Sequence, residues 1–370
     1  MTTEARGMPR ATPEELAAIV TLRDFLEAAG AAVSEAAWDY IDGGSWDEIS
    51  LGRNEAAWRN YRFRPRVLVD VSSVDPSTTM LGAPVAMPVA IAPMAAHGLA
   101  HPDAEVATMR AAAAAGVPFI SSTMSTKSME DIAGAAPGAT RWFQLYAQAD
   151  PGRTRSFVER AEAAGYGAIV LTVDLPELGY RDRDRRNGFE LDVPLGNFDG
   201  GPGPTHGSHG RDETGYEIID EWVARGLTWD SLAAIRSWSS LPLVLKGIMT
   251  GEDARLAVDH GVDAIVVSNH GGRQLDRTPA PIEVLREVRE AASDTELWVD
   301  GGVRRGLDIA IALALGARGV LIGRPILWAL AAGGQAGVER ALAILHAEFS
   351  IALALLGATS PAEVTPQHLA

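Results

Sequence analysis

The chain contains no cysteine among its 370 residues. Disulfides, thiolate metal sites and cysteine nucleophiles are therefore excluded. The chain also lacks a long hydrophobic run. The longest apolar stretches, such as AIALALGARGVLIG at 310–323, are interrupted by Gly and Arg before they reach the length of a membrane span. We expect no transmembrane segment and no contact with a membrane.

Positive charge is scarce. The chain has 32 Lys and Arg and 48 Asp and Glu, which gives a net charge of −16. This balance disfavours nucleic acids and anionic membrane surfaces as partners. The net charge does not exclude a small anionic substrate, because arginines close to a binding site determine whether such a substrate binds. The start of the chain, MTTEARGMPR, is not followed by the apolar core of a signal peptide. We expect a cytoplasmic protein.

What the chain does contain is a series of short apolar runs, most of them followed by a helical pattern that ends near Gly. Continuous apolar strands alternating with helices indicate a parallel sheet buried on both faces. Eight such runs predict a (β/α)8 barrel. They are Pro88–Pro93, Pro118–Ser122, Trp142–Tyr146, Ala168–Asp174, Leu243–Gly247, Ala264–His270, Leu297–Gly302 and Gly319–Arg324.

We predict a single domain over residues 1–370. Residues 1–66 precede the repeating units and begin a helix at Thr12-Pro13, so we expect a helical extension that covers one barrel end. Residues 67–357 form the barrel and its closing helices.

The connection after the fourth strand is much longer than one helix requires. Its part from Gly196 to Gly215 is rich in Gly, His and Asp and almost free of apolar residues. Such a loop is usually functional or disordered. We predict that 196–215 is a mobile lid at the barrel mouth, and a disordered insert without a role is the alternative. Two close histidines, His206 and His209, lack a convincing carboxylate arrangement, and we predict no metal site.

The segment Val266–Asp276, VVSNHGGRQLD, is the most informative stretch. His270 can take up a proton near neutral pH, and Arg273 carries a donor fork that fits a carboxylate. A base beside a carboxylate clamp at a strand end suggests proton abstraction from a small organic acid. A polar surface loop is the alternative, but other strand ends favour the functional interpretation.

In a barrel the carboxyl ends of the strands converge on one mouth. Asp174 is placed to pair with His270, and Arg181 is a second candidate carboxylate clamp, although RDRDRR (181–186) also fits a solvated charge run. Tyr146 and Tyr40 can donate to substrate oxygens, although Tyr40 also fits a core position.

A second set of strand-end residues suggests a flavin site. Gly302 and Gly323 permit close backbone approach, and Arg304 and Arg324 supply charge, as a phosphate site on the last two strands requires. Lys246 can stabilise negative charge on a reduced ring. Neutral groups suited to the edge of a heterocycle are Ser122, Gln144 and Thr172. Flavin mononucleotide (FMN) fits this set.

These residues resemble the FMN-dependent L-2-hydroxy-acid oxidases and dehydrogenases, which include glycolate oxidase, lactate oxidase, lactate monooxygenase and mandelate dehydrogenase. The resemblance runs from about Asp39 to about Gly357. The most specific of the matching motifs are SNHGGRQLD and DGGVRRG. The others are DYIDGG, FRPRVLVD, IAPMAAHGLAHPDAE, WFQLY, LTVD, LVLKGI and IGRP. The resemblance implies a (β/α)8 barrel.

By position, the resemblance implies that His270 is the catalytic base and Asp174 its partner. Arg273 and Arg181 would bind the substrate carboxylate, and Tyr40 and Tyr146 would contact substrate oxygens. Lys246 would face the N1/O2 edge of the flavin. The isoalloxazine and ribityl would be held by Met94, Ala95, Ser122, Gln144, Thr172 and Ser268, and the ribityl and phosphate by Asp300, Gly302, Arg304, Gly323 and Arg324.

One position departs from the family pattern. The glycolate and lactate oxidases carry an aromatic residue where this chain has Met124, a flexible side chain that can yield space. We therefore expect oxidation of an L-2-hydroxy acid by dioxygen, with mandelate-like or longer-chain acids accepted as well as lactate. Alternatives are a dehydrogenase that uses a quinone or protein acceptor, a lactate 2-monooxygenase, and a catalytically silent barrel. We expect a homo-oligomer, a tetramer or an octamer.

Overall fold

The computed structural model describes residues 10–198 and 223–370. Four short helices come first: α1 (Pro13–Ala18), α2 (Phe25–Ala32), α3 (Glu35–Asp42) and α4 (Ile49–Ala56). The predicted helix start at Thr12 is confirmed, since the Thr12 hydroxyl accepts a hydrogen bond from the Glu15 amide and the Glu15 carboxylate accepts one from the Thr12 amide. Among the described helices, none is long and apolar enough to cross a membrane.

A short antiparallel hairpin that sequence analysis did not predict precedes the barrel. Its strands are β1 (Thr78–Met80) and β2 (Ala83–Val85). The amide of Leu81 at its turn donates to the Glu296 carboxylate at 2.8 Å, and Met80 is fully buried. Since Glu296 begins a barrel strand, the hairpin closes the amino end of the barrel.

Eight parallel strands form a closed barrel, as predicted. They are β3 (Val89–Ile91), β4 (Phe119–Ser122), β5 (Arg141–Leu145), β6 (Ile169–Thr172), β7 (Leu243–Ile248), β8 (Ala264–Val267), β9 (Glu296–Val299) and β10 (Gly319–Ile322), and β10 pairs with β3. Each predicted run overlaps one of these strands, although β5, β7 and β9 each extend one residue beyond the predicted run, and the polar residues that follow each strand lie in the loop at the carboxyl end.

Helices follow the strands around the barrel. They are α5 (Ala104–Ala115), α6 (Met129–Ala135), α7 (Pro151–Ala163), α8 (Asp182–Asn187), α9 (Ser231–Ser237), α10 (Gly251–Asp259), α11 (Pro281–Ala291), α12 (Gly306–Ala314) and α13 (Arg324–Leu356). The last of these is broken at Gly333 and Gly334, whose backbone angles are not helical. Sequence analysis missed α6, and it left Arg181–Arg186 as a candidate charge run where α8 forms.

The barrel interior is filled by side chains from alternate strand positions. The indole rings of Trp142 and Trp298 stack there with centroids 4.7 Å apart and planes at 3°. Small residues such as Ala90, Ala168 and Ala264 make room for them. Above this packing the carboxyl ends of the strands present polar groups to a cavity.

The amino-terminal helices are joined to the loops at the carboxyl end of the barrel. Asn54 and Asn269 exchange two side-chain hydrogen bonds of 2.8 Å, and the Trp58 ring N–H donates to the Gly301 carbonyl at 2.9 Å. These bonds place α3 and α4 beside the site, as expected of an extension that covers one barrel end. The division of residues 1–370 into one domain with this extension stays a prediction.

The long connection predicted after the fourth barrel strand lies between Thr172 and Leu243 and contains α8 and α9. The predicted lid, 196–215, lies outside the described residues except for Gly196–Phe198.

Candidate active site

A cavity opens at the carboxyl ends of the barrel strands. Of the nineteen site residues that the sequence predicted, two lie behind its wall, Asp174 and Ser268. The other seventeen line it: Tyr40, Met94, Ala95, Ser122, Met124, Gln144, Tyr146, Thr172, Arg181, Lys246, His270, Arg273, Asp300, Gly302, Arg304, Gly323 and Arg324. The structure therefore brings the predicted set together.

His270 is held between a carboxylate and a phenol. Its Nδ1 lies 2.8 Å from Asp174 Oδ1, and its Nε2 lies 3.4 Å from the Tyr146 hydroxyl. If Nδ1–H donates to the carboxylate, the Nε2 lone pair points into the cavity. Burial, and then the charge of Asp174, raise the pKa of Tyr146, so its hydroxyl stays a donor.

The electrostatics keep the imidazole neutral. Burial lowers the pKa of His270, the nearby charge of Asp174 opposes this, and the pKa lies below its ordinary value. Burial also raises the pKa of Asp174, but the charge and hydrogen bond of His270 outweigh it, so that the carboxyl pKa lies below its ordinary value. A neutral imidazole beside an ionised carboxylate is the state that a general base requires.

The backbone around His270 takes three consecutive left-handed conformations, with φ of 59° at His270, 67° at Gly271 and 74° at Gly272. A Cβ on Gly272 would lie 2.6 Å from the backbone nitrogen of Leu51 in α4. Glycine is needed there because the conformation and the close approach both exclude a side chain. This turn aims His270 into the cavity and Arg273 toward α3.

Arg273 and Arg324 are anchored by the carboxyl end of α3. Arg273 Nη1 donates to the carbonyls of Tyr40 and Gly43 at 2.7 and 2.8 Å, and Arg324 Nη2 donates to the same Gly43 carbonyl at 2.7 Å. Carbonyls at the end of a helix lack internal partners and carry the negative end of its dipole, so they favour cations. The Arg273 guanidinium also lies over the Tyr40 ring, 4.9 Å from its centroid.

These arginines form a cationic site with little carboxylate compensation. Burial, reinforced by the Arg181 charge, lowers the pKa of Arg273 to about 10. Burial, reinforced by Arg273, lowers the pKa of Arg324 to about 9. An anion bound between such groups offsets the cost of burying their charge.

Lys246 and its neighbours form a polar floor. Its ammonium donates to Ser268 Oγ at 2.9 Å and lies 3.3 Å from Asp300 Oδ2. Ser268 therefore contacts Lys246 and not the cavity. On the adjoining strands the Ser122 hydroxyl donates to Gln144 Oε1, and Gln144 Nε2 donates to Thr172 Oγ1, both at 3.0 Å.

The residues fit FMN on an observation independent of any relative. Within 10–198 and 223–370, buried polar atoms without a hydrogen-bond partner include Asp300 Oδ1, Arg304 Nε and Arg324 Nε. Buried polar groups are normally satisfied, so these atoms indicate a polar ligand. A ribityl hydroxyl suits the carboxylate oxygen and a phosphate suits the guanidinium N–H groups.

Sequence analysis missed one part of the cavity. Apolar side chains face it from the extension and from the long connection: Ile41, Leu175, Leu178 and Leu191. Together with Met124, which also lines the cavity, they supply apolar surface to it. The ring of Phe189 stacks on Tyr40 with centroids 4.5 Å apart. The segment around α8 that contains Leu175, Leu178 and Leu191 is irregular and has no periodic apolar pattern. Only the structure therefore shows that these residues line the cavity.

Comparison with known proteins identifies the family. The profile described as FMN-dependent dehydrogenase matches residues 29–370. The chain is 46% identical to an L-lactate oxidase of Nostoc sp., over 95% of this chain and 98% of the relative. It is 44% identical to glycolate oxidase 1 of Zea mays, over 95% of each chain.

Among solved structures, a mandelate oxidase with (S)-4-hydroxymandelic acid superposes with a TM-score of 0.89. It is 44% identical, and the match covers 95% of this chain and 98% of that one. The chain belongs to the FMN-dependent dehydrogenase family, and FMN is its cofactor. The predicted resemblance and cofactor are confirmed.

Proposed function

We propose that the protein oxidises an (S)-2-hydroxy acid to the 2-oxo acid and that dioxygen is reduced to hydrogen peroxide. The substrate gives up two protons and two electrons. Dioxygen takes up two electrons and two protons and becomes hydrogen peroxide. The observation that carries the proposal is the His270–Asp174 hydrogen bond of 2.8 Å, with Nε2 facing a cavity that Arg273 and Arg181 also line.

The arginines bind the substrate carboxylate. Arg273 is already held by two backbone carbonyls, so its remaining donors are fixed in direction. The Arg181 guanidinium also lies over the Tyr40 ring, 5.9 Å from its centroid. The hydroxyls of Tyr40 and Tyr146 donate to substrate oxygens, which orients the carbon that bears the hydroxyl toward His270.

In this proposal His270 removes a proton from the substrate. Its lowered pKa keeps Nε2 unprotonated at neutral pH, and Asp174 stabilises the imidazolium that forms. When bound, FMN accepts the two electrons and passes them to dioxygen. The residues that hold it in this proposal are Met94, Ala95, Ser122, Gln144, Thr172, Lys246, Ser268, Asp300, Gly302, Arg304, Gly323 and Arg324, with Ser268 acting through Lys246.

We further propose that the preferred substrate carries a side chain larger than a methyl group. Met124 joins Leu178, Leu191 and Ile41 in an apolar wall that can take an aryl or alkyl group. The structural likeness to a mandelate oxidase that binds (S)-4-hydroxymandelic acid supports this size. Lactate remains a substrate in this proposal because its carboxylate and hydroxyl meet the same groups.

Dioxygen is the acceptor that best fits the relatives, which are named oxidases. Ala95 lines the cavity with a small side chain and permits dioxygen to approach. A quinone or protein acceptor would need a further surface, and no observation favours one.

Anaerobic reduction of the bound flavin tests the function directly. The purified protein is mixed without air with achiral glycolate and with the L- and D-forms of lactate, 2-hydroxyoctanoate and mandelate, and the visible absorbance is followed. We expect bleaching by L-acids only, and return of the colour with hydrogen peroxide when air is admitted. Bleaching that air does not reverse would contradict the oxidase and favour the dehydrogenase.

We also propose a cytoplasmic homo-oligomer, a tetramer or an octamer. Val67, Leu68 and Leu355 are exposed apolar residues, and Arg66 and Leu356 are joined by a backbone hydrogen bond of 3.0 Å, which places them on one face. Light scattering should give a mass of four or eight chains. A monomer would contradict the assembly without affecting the reaction.

A further inference from the structure

Glu105 in α5 is a buried carboxylate that the reaction does not use. Its side chain is fully shielded from solvent. Its oxygens accept three backbone N–H groups: those of His97 at 3.0 Å, Thr126 at 2.9 Å and Lys127 at 3.1 Å. In the described parts of the chain it has no salt bridge. A carboxylate buried without a cation is costly, and rigid N–H donors are what compensates it.

The three donors belong to two loops that border the active site. His97 follows Met94 and Ala95 in the loop after β3, and Thr126 and Lys127 follow Met124 in the loop after β4. All three of Met94, Ala95 and Met124 line the cavity, and the function proposed above assigns Met94 and Ala95 to the flavin and Met124 to the substrate side chain. One side chain therefore bonds to both loops.

Two further bonds join the same loops. The Ala96 amide donates to the Met124 carbonyl at 3.0 Å, and the Gly98 amide donates to Thr126 Oγ1 at 2.9 Å. Glu105 reaches both loops from below, at the first turn of α5. The backbone positions of Ala95 and Met124 are thereby coupled.

We propose that Glu105 is a positioning residue that sets the distance between the flavin-facing loop and the Met124 wall. It would act on FMN affinity and on the ranking of substrates by size, without touching substrate or cofactor. This role rests on the function proposed above only where it concerns substrate ranking.

The conservative change Glu105→Gln tests it. If the Gln amide oxygen takes the place of Oε1, it still accepts from His97 and Thr126, but the NH₂ that replaces Oε2 cannot accept from the Lys127 amide, so the loop after β4 loses one of its two bonds. We expect the dissociation constant of FMN to rise on the order of tenfold, the usual effect of one lost buried hydrogen bond to a charged group. The visible circular dichroism of the bound flavin should change, and so should the ratio of kcat/KM for mandelate to that for lactate.

Glu296→Gln is the matched control. The carboxylate of Glu296 also accepts a backbone N–H, from Leu81, and a ring N–H, from Trp298, both at 2.8 Å, but at the opposite end of the barrel. This change should leave FMN affinity, the flavin spectrum and the substrate ratio unchanged. A folded Glu105→Gln variant that behaves like this control would overturn the proposal.

A second variant decides the matter if Glu105→Gln does not fold. Thr126→Val removes the acceptor of the Gly98 amide and leaves Glu105 in place. A change in FMN affinity and flavin spectrum supports the coupling of the loops, and unchanged values refute it. FMN affinity and spectrum need no substrate, so these readings remain decisive even if the wild type oxidises neither acid.

Discussion

Replacing Met124 with tryptophan perturbs the apolar wall of the cavity at one point. The Met124 amide donates to Ser122 Oγ at 3.1 Å and its carbonyl accepts the Ala96 amide at 3.0 Å, so the backbone is fixed. The larger indole must therefore enter the cavity. It takes the volume that an aryl or alkyl side chain would occupy beside Leu178 and Leu191.

The size of the effect follows from the buried surface. An aryl group buries several methylene-sized units more than a methyl group, each contributing about 0.8 kcal/mol. If the indole displaces two or three of them, transition-state binding weakens by about 1.6–2.4 kcal/mol. That corresponds to roughly 10–100-fold in kcat/KM for mandelate, with a much smaller effect on lactate, whose methyl group does not reach the wall.

The assay compares kcat/KM for glycolate, lactate, 2-hydroxyoctanoate and mandelate in wild type and variant. Met124→Leu is the matched control, since it keeps an apolar side chain of similar volume and should preserve the ranking. A wild type that prefers glycolate, or a tryptophan variant with an unchanged ranking, would refute the reasoning and locate the determinant elsewhere.

Four further predictions concern the catalytic groups. His270→Gln should retain bound FMN but lose flavin reduction by roughly 10²–10⁴-fold; near-normal reduction by stopped flow would contradict its role as base. Arg273→Lys should weaken substrate binding despite the retained charge, because the fork is lost; a methyl ester of the substrate should likewise fail with the wild type, and equal turnover of acid and ester would exclude the clamp. For pH, kcat/KM requires neutral His270 and falls as pH drops through its pKa, which lies below the ordinary value, so activity should persist below pH 6.5. In Asp174→Asn the acidic limb should move to lower pH, because the charge that raises the His270 pKa is gone, and the rate should fall by up to about 10⁴-fold; an acidic limb at unchanged pH would show that another group titrates.

The barrel was predictable because its strands are buried on both faces. Most of the eight runs, such as Ala264–Val267 within AIVVSNH, are mainly apolar and end in polar or Gly residues. The parallel arrangement then forces these ends to one side, which accounts for most of the seventeen predicted lining residues, whereas Tyr40 and Arg181 lie outside the strand ends. The hairpin at Thr78–Val85 escaped prediction because its strands have three residues each and are stabilised by contacts with Glu296, far away in the chain.

Other features depend on contacts between segments distant in sequence. In the sequence, Glu105 is an ordinary acidic residue in the first turn of a helix. Only the structure shows that its carboxylate accepts three hydrogen bonds from two different loops. The carbonyls of Tyr40 and Gly43 that hold Arg273 lie 230 and more positions away along the chain.

The sequence by itself thus determined the barrel and the flavin, and it made His270 the candidate base, because local apolar patterning and strand-end chemistry are contained in contiguous residues. The tertiary structure alone decided that Ser268 supports Lys246 from behind the cavity, and that Ile41, Leu178 and Leu191 complete the wall around Met124. The physical reason is that neither burial nor the partner of a polar atom is a local property. Both depend on which distant segment of the chain the closed barrel brings into contact with a given residue.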